Sequence, residues 1–154
     1  MRILGIPGVP LALMLGGLVP FAAGAGGMWA LRADPALQGQ VALALLAYAA
    51  MILSFHGGVR WGAEVNAHGA GIPRSRQLML SVLGPLAAWG VLLWAMLGPA
   101  GWPVFAAAAG AHLLHGVWDA DGAGLSIWMR RLRIAGTAGA VLALGAAGAA
   151  YIVR

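Results

Sequence analysis

The sequence predicts an all-α, polytopic integral membrane protein: a single membrane domain over residues 1–154, folded as a bundle of five transmembrane helices with a short interfacial helix before the last span. Three observations predict it. Apolar residues make up 62 % of the chain and charged residues 8 %, whereas about a quarter of a soluble domain is charged. Apolar segments of membrane length recur, and the charges fall between them. The 25 glycines lie largely inside those segments, where small residues let membrane helices approach closely.

The spans are expected near residues 8–31, 36–61, 76–97, 103–120 and 134–153. The first carries Pro7 and Pro10 at its start, where a missing amide proton costs nothing, and Pro20 further in, where a kink is expected. Its small residues Ala22 to Ala25 also resemble a signal-cleavage site. The apolar run continues to Arg32, beyond the ~15 residues of a signal core, so a retained helix is preferred. Asp34-Pro35 reads as an N-cap followed by proline at the first helical position, and opens the second span. Gly62 to Ser75 reads as a polar headgroup-level connector.

The third span starts at Arg76, is interrupted near Gly84-Pro85 and carries Trp89 and Trp94, for which core packing is expected. Helix four opens at Trp102-Pro103; from Pro103 to Trp118 is roughly sixteen residues, about 24 Å, so it must continue past Asp119 or cross a thinned region. In the stretch from Asp119 to Arg133, Leu125, Trp128 and Leu132 recur beside Arg130, Arg131 and Arg133, as in an interfacial helix. The last span closes with Tyr151 and Arg154 as interface anchors. Trp29, Trp61, Trp102, Trp118 and Trp128 fall at expected interfaces.

All nine basic residues are arginines, and the formal charge is +5. The apolar background argues against nucleic acid as a partner and for topology signals and anionic headgroups. Five spans put Arg2, Arg60, Arg74, Arg76, Arg130, Arg131 and Arg133 on one side, with Arg32 and Arg154 on the other. The positive-inside rule then orients the amino terminus toward the cytoplasm, or toward the matrix if the membrane is an organelle's; in a bacterial inner membrane the carboxy terminus is then periplasmic. The chain has no cysteine, which removes disulfides and thiol chemistry.

Two polar stripes stand out. His56, Arg60 and Glu64 are spaced four apart on the second helix; His112, His115 and Asp119 are three and four apart on the fourth. Both helices end on the arginine-rich side, so a polar cluster between them is expected, with Arg60 pairing Asp119. The alternative is that Arg60 snorkels to headgroups and Asp119 caps a helix end. His112 and His115 with Asp119 or Glu64 permit a metal site without specifying one; no metal and no cofactor is expected. Hydroxyl nucleophiles are few, Ser54, Ser75, Ser81, Ser126 and Thr137, and none sits in an elbow motif.

The run Ile52-Leu53-Ser54-Phe55-His56-Gly57-Gly58-Val59-Arg60-Trp61-Gly62 resembles the signature of the transmembrane protein 69-like family, domain of unknown function 3429. Leu18-Val19-Pro20-Phe21 and Trp128-Met129-Arg130-Arg131-Leu132-Arg133 agree with it, so the resemblance covers most of the chain. The chain departs at His56, where an apolar residue is expected, and at Met129, where tyrosine or phenylalanine is usual. The resemblance implies a small polytopic protein of proteobacterial inner membranes and mitochondria with no established biochemical activity. It draws attention to Ser54, Gly57, Gly58, Arg60, Trp61, Gly62, Asp119, Leu132 and Arg133.

Two functions are expected from these features. The first is an accessory, structural or assembly subunit without catalytic activity, whose partners are the lipid bilayer and other membrane-protein subunits or copies of itself. The alternative is a small-molecule protein that binds or transports haem, quinone or a solute at a polar site between helices two and four. Gly57-Gly58 and Gly84-Pro85 also resemble the broken helices of transporters.

Overall fold

The computed structural model describes residues 2–3, 5–99, 101–120 and 124–153. Arg154, expected as an anchor, and Ala100 in the third connector lie outside them. A two-residue ladder pairs β1 (Arg2–Ile3) with β2 (Ile6–Pro7) around Gly5, whose φ of 78° is the left-handed conformation that a tight turn takes most easily with glycine. Five helices follow: α1 (Gly8–Ala30), α2 (Pro35–His68), α3 (Ser75–Leu97), α4 (Trp102–Ala120) and α5 (Ile127–Ala149). By length and hydropathy α1, α2, α3 and α5 are long and apolar enough to cross a membrane.

Local chemistry explains the ends. Asp34 accepts hydrogen bonds from the amides of Ala36 and Leu37 through Oδ1, both at 3.1 Å, and Pro35 takes the position where no amide is needed. α2 does not end at residue 61, before the polar connector expected from Gly62. It runs 34 residues to His68, about 51 Å, well beyond the ~30 Å of bilayer hydrocarbon. Gly69, with φ 51°, ends it. α3 likewise passes through Gly84-Pro85 unbroken. The separate interfacial helix is also replaced: Trp128 to Arg133 form the first turns of α5 itself. No glycine or proline lies between Ile127 and Ile134, so nothing in that stretch ends a helix.

Packing is glycine-led. The broadest interfaces join α2 to α3 and α4 to α5, with α1 resting on α5 and α2. A Cβ on Gly57 would meet the Ser81 carbonyl oxygen and lie 2.8 Å from Pro85 Cγ; one on Gly84 would be 2.7 Å from His115 Nδ1; one on Gly116, 2.6 Å from Thr137 Cγ2. The glycine pair is thus tolerated in α2 because one member is the contact that lets α3 approach. Phe21, Met28, Leu45, Phe105 and Leu144 form the buried core at the other end of the bundle. Trp89 and Trp94, expected in the core, are 60 % and 42 % exposed and face outward. Trp29 ties α1 to α5 by donating from Nε1 to the Ala146 carbonyl at 2.9 Å.

Candidate functional site

The resemblance motif divides by helical periodicity. Gly57 and Arg60 face inward and are buried, as is Glu64 one turn beyond the motif, whereas Ser54, Gly58, Trp61 and Gly62 are exposed. On α4, His112, His115 and Asp119 are all buried, at 2 %, 5 % and 0 % exposure. The two faces meet, and a third helix completes the cluster.

Asp119 is the centre. Its Oδ2 accepts from Arg133 Nε at 2.7 Å, and its Oδ1 faces Arg60 Nε at 3.5 Å. The first is a charge-assisted hydrogen bond; the second is long for one, and Oδ1 makes no hydrogen bond among the described residues. Both Nη2 protons of Arg133 are placed, one on the His56 carbonyl at 3.2 Å and one on His115 Nε2 at 3.3 Å. A guanidinium only donates, so His115 accepts through Nε2 and carries its proton on Nδ1. Arg60 donates to the Trp118 carbonyl at 3.3 Å and stacks its guanidinium 4.0 Å from the Trp118 ring centroid. Trp118 Nε1 in turn donates to Gln77 Oε1 at 3.2 Å, which brings α3 into the network.

Sequence reasoning pairs Arg60 with Asp119 and treats Arg133 as one of a topological trio. The geometry gives Arg133 the shorter contact. It lies on the buried stripe Arg133, Thr137, Ala140 and Leu144, with Arg130 one turn before it half-buried and Arg131 exposed on another face. That spacing of three and four was the available signal; it is legible only if the helix is started at Ile127.

His112 stands apart from this network. Its Nε2 donates to the Ala49 carbonyl at 3.1 Å, which leaves Nδ1 as an acceptor, buried and without a partner among the described residues. Glu64 also stays outside the cluster in which the sequence had placed it. Its carboxylate receives the Arg74 amide at 2.7 Å and the Arg74 guanidinium at 3.0 and 2.8 Å, and His68 Nδ1 lies 3.2 Å from Oε1. These hydrogen bonds, then the opposite charge, hold the Arg74 pKa above its ordinary value. Glu64 fastens the 69–74 connector to the end of α2. Replacing Glu64 by alanine should therefore speed proteolysis between Gly69 and Arg74 and leave the rest of the bundle intact. Unchanged cleavage there would show that the clasp does not hold the connector. Among the described residues no three histidine, aspartate or glutamate side chains converge as a metal site.

Beside the cluster a cavity of about 450 Å³ opens between α1, α2 and α5. Its volume is in the range of small-molecule pockets, ~300–1,000 Å³. Met14, Leu18, Ile52, Val59 and Leu132 are among its apolar walls, and His56 and Arg133 are the ionisable side chains that reach it. The cavity exists because α1 diverges. Near its middle the Tyr48 hydroxyl donates to the Gly17 carbonyl at 2.7 Å, and its second half is fixed to α2, with Gly24 against Leu45 and Gly27 against Val41. Its first half leans on α5 instead, through Met14 on Gly136 and Leu18 on Gly139.

The model of a family described as protein of unknown function, DUF3429, matches residues 6–149. The chain belongs to the DUF3429 family. The match takes in the glycine pair, Arg60, Asp119 and Arg133, and its description carries neither an activity nor the transmembrane protein 69 label. Neither the comparison with curated proteins nor that with solved structures gives a match. What this DUF3429 protein can do chemically therefore follows from its geometry. It holds a buried, hydrogen-bonded ionic cluster against an apolar cavity, an arrangement suited to binding and orienting a lipid-soluble molecule.

Proposed function

We propose that this DUF3429 protein is a five-span membrane protein that binds a lipid-soluble small molecule in the cavity between α1, α2 and α5. One observation carries the reading: the cavity of about 450 Å³ is apolar along its length yet meets the Arg133 guanidinium and the His56 ring. Ionisable groups at membrane depth cost ~2.5–3.5 kcal/mol each on insertion scales and mark functional pathways when they face a cavity. The site differs from the one expected between helices two and four, because Arg133 brings α5 into it and α1 walls it.

The experiment is mass spectrometry of small molecules that stay with the full chain after gentle extraction in native lipid discs. A stoichiometric non-phospholipid species should accompany the wild type and be lost in Val59→Trp, which fills the cavity. If only bulk lipid is found in both, the reading fails.

The accessory-subunit reading draws on a different observation. The connectors at residues 31–34 and 69–74 are short, and among the described residues many large apolar side chains on the helices are exposed. It predicts that the same extraction yields a larger complex.

The orientation proposed is amino terminus in the cytoplasm of a bacterial inner membrane, which follows from five crossings and the arginine bias. Because the chain has no cysteine, a single one introduced at Ala70 or at Pro99 is a unique label. A membrane-impermeant maleimide should reach Pro99→Cys from the periplasm and Ala70→Cys only after the membrane is opened. The reverse pattern would invert the topology, and labelling of both from one side would remove a span.

A further inference from the structure

We infer that the occupant of the cavity is a neutral quinone-type amphiphile, a planar ring with carbonyl acceptors on an apolar tail, which enters from the bilayer between α1 and α2. The inference rests on the cavity being a ligand site and adds the class of ligand and its route.

The route follows from the divergence of α1. Where its first half leaves α2, Leu13 on one helix and Phe55 on the other are 73 % and 66 % exposed and border a slit into the cavity. In a chain whose helices are of membrane length and composition, that slit faces hydrocarbon. A molecule using it must already be dissolved in lipid.

The head group follows from the donors on the floor. Arg133 is 5 % exposed, and its Nε proton and both Nη2 protons are engaged, whereas Nη1 has no hydrogen-bond partner among the described residues. Its charge is answered at 2.7 Å by Asp119, itself fully buried. Asp119 also faces Arg60 at 3.5 Å, so what the Arg133 guanidinium offers the cavity is an open hydrogen-bond donor beside a carboxylate already in place. A carboxylate head would share this guanidinium with Asp119, and two like charges at such separation repel strongly away from water. A carbonyl oxygen accepts the same protons without that repulsion. The His56 ring adds a second polar group: it makes no hydrogen bond among the described residues and lies with its centroid 6.0 Å from that of His115.

The body follows from the walls. Phe55 and Trp128 line the cavity near these donors and offer rings to a planar head. From Pro10 to Phe21 the wall of α1 extends about 16 Å. That accommodates a ring and the start of a tail, whose remainder lies in the slit and the lipid.

The test is photoaffinity labelling of the full chain in lipid vesicles. The probe is a benzoquinone whose decyl tail carries a diazirine; the competitors are unlabelled decylbenzoquinone and hexadecanoate. Cross-links should fall in residues 10–21, 52–59 and 128–140, and decylbenzoquinone should displace the probe at least tenfold more effectively than hexadecanoate. His56→Phe keeps a ring of similar size and the backbone carbonyl used by Arg133; it should weaken labelling about tenfold, as loss of one hydrogen bond at a dry site does, with melting behaviour unchanged. Equal or better displacement by hexadecanoate would overturn the quinone class and leave the cavity reading standing. Undiminished labelling of His56→Phe would overturn the placement of the head. Cross-links in none of the three segments would overturn this inference, and loss of a bound native species in Val59→Trp would then still separate its failure from that of the cavity site.

Discussion

Asp119→Ala is expected to destabilise the folded bundle by about 3–5 kcal/mol, the usual consequence of removing one partner from a buried ion pair. The reason lies in what remains. Arg133 loses its 2.7 Å contact and Arg60 its facing carboxylate, and both guanidiniums are buried, at 5 % and 4 % exposure. The effect checks as a fall in the thermal midpoint in mild detergent and a shift of the protein toward aggregation. A double variant joins Asp119→Asn to Arg133→Gln, which replaces charge by neutral hydrogen-bonding groups on both sides. It should be milder than the sum of the two single changes, by more than the ~0.5 kcal/mol within which independent sites add. Strict additivity would mean that Asp119 and Arg133 contribute separately and that their contact is incidental.

The adjacent glycines of α2 should respond in opposite directions, which makes them the second large expected effect. A methyl group at Gly57 would run into the Ser81 carbonyl oxygen and come within 2.8 Å of Pro85, so the neighbour that must give way is backbone and a rigid ring. Gly57→Ala should therefore force α3 away from α2 and cost ~1–3 kcal/mol or more through overpacking. It should also lengthen the path from Gln77 to Trp118 and Arg60. At Gly58 nothing lies within 4 Å of an added Cβ, and alanine there gains about 0.5–1 kcal/mol of helix preference. Gly58→Ala is expected to be neutral or stabilising. Thermal midpoints of the two variants, measured side by side in one detergent, decide the matter. A loss of similar size at both would show that the pair serves flexibility instead of close approach.

Both predictions reach into a network whose members the sequence already displayed in part. His56, Arg60 and Glu64, and His112, His115 and Asp119, were legible as stripes, each on one helix face, because helical periodicity fixes which residues share a face; that both stripes turn toward the bundle came from the structure. The end of the second helix was misplaced at residue 61, because the residues from Val41 to Trp61 already fill the bilayer and the polar stretch from Gly62 reads as a connector; that the helix survives Gly57-Gly58 could not be read from intrinsic preference. The contact of Gly57 with α3 offsets that preference, and it exists only once α3 is in place. The start of the last helix was misplaced for a related reason. Its arginines suggest a helix lying flat at the interface, yet Arg133 is turned inward onto Asp119 and the helix continues through it.

Composition and periodicity act within a single segment, and they were enough for the all-α membrane-helix class, the N-cap at Asp34 and the polar stripes of the second and fourth helices. Only the tertiary structure decided that Glu64 turns to Arg74 while Asp119 gathers Arg60 and Arg133. It alone decided that α1 follows α5 and parts from α2 to leave a cavity of about 450 Å³. Periodicity sets the rotation of a helix about its own axis. The offset along that axis and the divergence from a neighbour are set by where glycines and side chains interlock, and no single segment contains that information.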